Sequence, residues 1–217
     1  MRILAVVAAS GLAREALAVP GVLEQHDRVA VLDDDPQRWG GDLAGHPILV
    51  GGLDRAADLG ECRVLVCTGS GRSRRAIVLR LLELGIGPHR YATVRHPSVE
   101  VPDSCSVGSG SIVLANVSLT ADVRIGHHVV VMPGATLTHD DVVEDFATLR
   151  AGVSLGGEVT VREAAYLGMN SVVRERTVVG RDSVLQSGSV LLEDLPDRET
   201  WTGVPARPLV QSAGVGV

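Results

Sequence analysis

His139, Asp140 and Asp141 are the one place in the chain where an imidazole is followed directly by two carboxylates. A histidine changes charge near neutral pH, and an adjacent carboxylate can orient its ring and favour its protonated form. The chemistry open to such a group is removal of a proton from a nucleophile. The alternative is an ordinary surface histidine, of which His127 and His128 are examples without a following carboxylate. A second set of candidates is three short turns, Ser10-Gly11, Asp33-Asp34 and Gly69-Ser70, each close behind an apolar run. Free N–H groups after Ser10-Gly11 could face a phosphate, and Asp33 is spaced to accept from a ribose hydroxyl. The first turn reads Ala8-Ala9-Ser10-Gly11-Leu12-Ala13, without GxGxxG, which argues against a dinucleotide. A mononucleotide-type ligand and plain turns both remain open.

The histidine sits in a repeat. From Val101 to Leu191 an aliphatic residue recurs at every sixth position, 16 times without a gap. A period of six fits neither an amphipathic helix nor a free strand; it fits the hexapeptide coils of a parallel β-helix. Three hexads close a triangle, so residues eighteen apart stack on successive coils about 4.8 Å apart. The position two before each aliphatic is small or β-branched in 15 cases, with Asp141 the exception. Such a break in a consistent pattern is where function or strain is expected. His139 projects outward at a corner, with Ala121 and Gly157 before and after it in its stack, which predicts a hollow beside the ring.

Residues 1–94 have another texture. Ile3 to Ala8, Arg28 to Leu32 and Val64 to Cys67 read as buried parallel strands, with helical spacing over Leu12 to Leu23 and Ser73 to Leu84. Alternating strands and helices predict a small wound parallel sheet, whose ligands lie at the carboxyl ends of the strands. The expected division is 1–94 for this acceptor-binding domain, 95–193 for the β-helix and 194–217 for a cap and tail. Trp201 to Arg207 should fold back over the last coil to cover its open strand edges, and Gln211 to Val217 should fray.

Composition agrees. Aromatic residues are only 2%, as expected where the interior is a stack of aliphatic slots. The net charge of −6 disfavours nucleic acid or an anionic membrane as partner. All 20 cationic side chains are arginine, and three scattered cysteines suggest neither a disulfide framework nor a metal site. No stretch has the length of a membrane span, so a cytoplasmic protein without membrane or metal is expected.

The chain resembles the hexapeptide-repeat acetyltransferases that act on sialic acid or on UDP-linked 4-amino-sugars. The resemblance rests on Ala9-Ser10-Gly11, Leu32-Asp33-Asp34, His96-Pro97-Ser98, Thr138-His139-Asp140, Gly168-Met169-Asn170-Ser171 and Gly203-Val204-Pro205-Ala206-Arg207. It implies a small Rossmann-like α/β domain followed by a left-handed parallel β-helix, a homotrimer, and acetyl-CoA as acyl donor. It implies His139 as general base with Asp140 raising its basicity, and Gly157 beside the thioester. Met169 and Ser187 would touch the pantetheine, while Ser10, Gly11, Leu12, Asp33, Asp34 and Gly69 would contact a nucleotide-sugar. Three positions depart from the pattern: Ala8 stands for a glycine, Met132 for an asparagine, and Thr148, near the cofactor's acetyl group, for a second histidine. The implied activity is acetyl transfer to the amine of an amino-sugar, probed against two alternatives: O-acetylation of a sugar or polyol, and a non-catalytic trimeric binding module.

Overall fold

The computed structural model describes residues 1–209, so the frayed tail expected over 211–217 lies outside the described residues. The N-terminal part opens with β1 (Ile3–Val7), α1 (Gly11–Leu17) and β2 (Arg28–Leu32). A small hairpin of β3 (Asp42–Leu43) and β4 (His46–Pro47) follows, then β5 (Cys62–Val66) and α2 (Gly71–Glu83). The three long strands form a parallel sheet in the order β2-β1-β5, so β1 is central. Its apolar run is buried on both faces, as a covered parallel strand requires. The first helix is shorter than its spacing predicts. It ends at Leu17 because Pro20 disfavours helical backbone at Val19 and Gly21 follows with φ of +87°.

β6 (Val94–Arg95) leads into fifteen two-residue strands, β7 (Ser106–Val107) to β21 (Val190–Leu191), spaced six residues apart. They stack as three parallel sheets, the faces of a triangular prism. Each strand ends on the aliphatic of the repeat, and those from Leu119 to Leu191 are buried in one core, while Val101 and Val107 at the open first end are part-buried. The corners hold a feature the repeat does not announce. From Gly110 to Gly188 every sixth residue has φ between 53° and 76°. Asn116, Asp122 and Asn170 tolerate this left-handed conformation, but Phe146 and Arg176 are held there against their preference.

After Leu191 the repeat ends, and β22 (Thr200–Gly203) adds one more parallel rung, with Trp201 in register with Leu185. β23 (Ala206–Pro208) then turns back antiparallel on β22, so the expected fold-back takes the form of a hairpin. Trp201 is buried at the end of the aliphatic core.

One prism face, carrying β8 (Ile112–Val113), β11 (Val130–Val131) and β14 (Thr148–Leu149), is covered by the α/β domain. Ile112, Leu114, Val130 and Met132 share a core with Leu4, Val6 and Leu12. The seam is closed by the start of α2. Arg72 donates to Asp182 (3.0 Å), Arg75 pairs with Glu163 (2.6 Å), and Arg74 is wholly buried. Gly71 lies so close that an added Cβ would stand 2.1 Å from the Phe146 carbonyl oxygen.

Candidate active site

His139 occupies the corner between β12 (Thr136–Leu137) and β13 (Val142–Val143). Asp140, in the left-handed conformation (φ 62°), turns its carboxylate back onto the ring, with Oδ2 2.9 Å from Nδ1. With Nδ1 donating to that carboxylate, Nε2 keeps its lone pair and can accept a proton. The hydrogen bond to Asp140 raises the His139 pKa above the ordinary histidine value, and the charges of Asp140, Glu158 and Asp141 add to the effect.

The ring lies across the next coil. A Cβ placed on Gly157 would stand 2.3 Å from both Nε2 and Cε1. This corrects the expected hollow: the space above Gly157 is filled by the imidazole. The Gly156 and Glu158 amides are taken by the Val173 and His139 carbonyls (both 2.9 Å), while among the described residues the Gly157 amide takes no acceptor. The backbone amides of His139 and Glu175, in the same stack, likewise take no acceptor among the described residues, so the imidazole, rather than the amide alone, distinguishes this position. Gly157→Ala should therefore displace an exposed ring without disturbing the core. A fall in kcat of about 10²-fold, with an unchanged thermal midpoint, is expected. Wild-type kcat in the folded variant would show that the ring's seat is unimportant.

Met169 and Ser187 are exposed and stack on one another, the Gly188 amide donating to the Met169 carbonyl (2.8 Å). They lie on a different prism edge from His139 and Gly157, separated by the face that bears Thr136, Ser154 and Val172. Thr148 is corrected more firmly. It is fully buried in the interdomain seam, where its hydroxyl donates to the Gly69 carbonyl (3.1 Å) and accepts from Arg74 (2.9 Å). It has no open side toward an acetyl group. Met132 is buried in the same seam, so both departures serve packing between domains.

In the α/β domain, Ser10 and Gly11 line a cleft of about 610 Å³ together with Arg14, Gln37, Arg38 and Asp42. All of its walls belong to this domain. The Ser10 hydroxyl caps α1 at the Ala13 amide (3.1 Å) and donates to the Cys67 carbonyl (2.6 Å). Leu12 turns its side chain into the core. Asp33 is occupied within the chain: it accepts from the Ala9 amide (2.7 Å) and the Asp35 amide (2.9 Å). Asp34 accepts from the Leu53 amide (2.8 Å) and pairs with Arg80 (2.7 Å). Both aspartates thus hold turns at the carboxyl end of the sheet. The cleft residues Arg14 and Arg38 escaped the reading of the sequence, although Arg14 stands one helical turn beyond Ser10. Arg38 donates to the Ala9 carbonyl and so frames the same turn.

A triangular hexapeptide coil carrying an outward histidine–carboxylate pair offers a general base of the kind acyl transfer requires. No protein-family model matches the sequence, and no curated protein sequence does. Solved structures do. The acetyltransferase domain of PglB from Neisseria gonorrhoeae, in complex with acetyl coenzyme A, is 29% identical, with 96% of this chain and 99% of that one covered and a TM-score of 0.86. PerB from Caulobacter crescentus, in complex with CoA and GDP-perosamine, is 26% identical over 95% of this chain and 97% of that one, with a TM-score of 0.83. WeeI from Acinetobacter baumannii, at 19% identity, a TM-score of 0.67 and coverage of 96% and 100%, bears on the fold alone. Over nearly its whole length the chain has the fold of these acetyltransferases, with a small α/β domain ahead of a left-handed β-helix.

Proposed function

We propose that the chain transfers an acetyl group from acetyl-CoA to the amine of a nucleotide-linked amino-sugar. The observation that carries the reading is the His139–Asp140 pair seated over Gly157 on this coil. The likeness to PglB with bound acetyl coenzyme A and to PerB with bound CoA and GDP-perosamine supports the donor and the acceptor class. The exposed edge of Met169 and Ser187 suits a pantetheine: both are open to solvent and stack in line with the prism axis. They lie two-thirds and five-thirds of a coil beyond Gly157, about 3 and 8 Å along that axis.

His139 Nε2 accepts the proton of the attacking amine, and Asp140 stabilises the imidazolium that results. Acetyl-CoA supplies the activated thioester carbonyl. The free amide of Gly157 donates to the oxygen on which charge develops. The imidazolium returns its proton to the departing sulfur, so the base is regenerated without a metal.

The reading requires a homotrimer. On one chain the catalytic edge, the pantetheine edge and the Ser10–Gly11 cleft are apart. The face between the two edges is uncharged, with Ser118, Thr136, Ser154, Val172 and Val190 pointing outward. Three such faces turned toward a threefold axis place the His139 edge of one chain beside the Met169 edge of the next. The donor locates the activity in the cytoplasm. Among the described residues no helix is long and apolar enough to cross a membrane.

An acceptor screen tests the reading. Acetyl-CoA is offered with GDP- and UDP-linked 4-amino-sugars, the same sugars without nucleotide, and their 4-hydroxy analogues, and thiol release is followed. Release is expected with a nucleotide-linked amine. Turnover of the hydroxyl analogues alone would make the enzyme an O-acetyltransferase, and absence of acetyl-CoA binding in calorimetry would leave only a binding module.

A further inference from the structure

We infer that Asp141 is a positioning residue, whose carboxylate seats the His139 corner on the coil that carries Gly157. The argument starts from the ladder between coils. At the residue following each strand, the amide donates to the carbonyl seventeen residues on: Thr120 to Leu137 (3.2 Å), Met132 to Leu149 (2.9 Å), Glu144 to Val161 (2.8 Å), Gly156 to Val173 (2.9 Å). Among the described residues from Gly108 to Arg174, Thr138 alone departs from this rule. Its amide donates instead to Asp141 Oδ2 at 2.7 Å. The Leu155 carbonyl left behind is taken by the Thr138 hydroxyl at 3.1 Å. In consequence β12 meets β15 (Ser154–Leu155) through one register pair, Thr136 with Ser154.

The second carboxylate oxygen, Oδ1, accepts from the Val159 amide at 2.9 Å. A link of that kind occurs elsewhere in the repeat: Ser111 accepts from the Val129 amide (2.9 Å), and Cys105 from that of Val123 (3.4 Å). The link back to Thr138 belongs to Asp141 alone, since a single hydroxyl or thiol cannot reach both amides. The two amides bracket the site. Thr138 immediately precedes His139, and Val159 follows Gly157-Glu158 on the next coil. One buried group therefore ties together the corner that carries the ring and the corner on which the ring lies. Burial pushes the Asp141 carboxyl up to about 6 against the pull of both amides, so a carboxylate is a costly occupant of a slot that valine or serine fills in other coils.

The inference rests on the catalytic role proposed for His139, and its test separates the two. Asp141→Ser should keep the link to Val159, as Ser111 does to Val129, and lose the one to Thr138. In the full-length chain labelled at histidine and glycine, the His139 ring and Gly157 amide resonances should shift. Histidines on other corners should not. kcat should fall about 10–100-fold, with KM for donor and acceptor changed by less than about twofold. In a His139→Ala background the same substitution should cost nothing further, because it acts through the ring. Asp141→Asn, which sets an amide nitrogen against the Thr138 N–H, should move the same resonances. Unmoved resonances in a folded variant, an equal fall in both backgrounds, or unfolding of both variants would each overturn the inference. Wild-type turnover in His139→Ala would overturn the catalytic role, while the resonances still judge whether Asp141 seats the ring.

Discussion

His139→Ala is expected to lower kcat by about 10²–10⁴-fold, the range for loss of one general base. The chain should remain folded, because the side chain points out of the prism and 59% of it is exposed. Within the repeat no other imidazole stands on that edge to replace it. His127 and His128 sit on another edge, and His128 is buried, with burial driving its pKa down to about 4. Asp140→Asn should cost less, since the ring stays and only its basicity and orientation change. The pH profile gives the sign. A base must be neutral to work, and Asp140 holds the His139 pKa above the ordinary value. The rate should therefore fall as pH drops through that raised pKa, and in Asp140→Asn the acid limb should move to lower pH. The same raised pKa means that the pair favours the folded chain at low pH and loses that contribution as pH rises through it. A folded His139→Ala protein with wild-type kcat, or an Asp140→Asn limb that stays in place, would break the assignment.

Arg74→Met is the substitution with the largest expected cost in stability, roughly 3–5 kcal/mol in urea unfolding. The guanidinium is fully buried, and it donates to the carbonyls of Thr68 (2.7 Å), His128 (2.9 Å), Phe146 (2.6 Å) and Ala147 (2.9 Å) and to the Thr148 hydroxyl (2.9 Å). Burial pushes its pKa down to about 10, so it stays charged at neutral pH. Methionine fills part of the volume but leaves the Thr68, His128 and Phe146 carbonyls without donors in a buried seam. Lysine should recover only part of the loss, because one ammonium group cannot span acceptors on three segments. A loss below about 1 kcal/mol would mean that water or a shift of α2 replaces the arginine.

The run Arg72-Ser73-Arg74-Arg75 carried a signal that is clear in retrospect. Cations in the first turn of a helix oppose its dipole, so such a run needs partners from elsewhere. Here the partners are Asp182, Glu163 and the corner carbonyls. Nothing in the local sequence names them, because Arg72 and Asp182 are 110 residues apart.

By itself the sequence determined the coil, its period and the order of the stack, since every inward slot is the same size and three hexads must close one turn. It also determined that His139 faces outward beside Asp140 and over Gly157, because eighteen residues bring the chain back to the same corner. Only the tertiary structure decided which prism face is covered, and with it that Thr148 and Met132 belong to a seam and that Arg74 closes it. It decided that Asp33 and Asp34 hold turns within the α/β domain, and that Asp141 draws the Thr138 amide out of the ladder. The physical reason is the same throughout: a repeat specifies contacts between its own coils, while the partner of a buried polar group is chosen by whatever distant donor or acceptor the folded chain brings within about 3 Å.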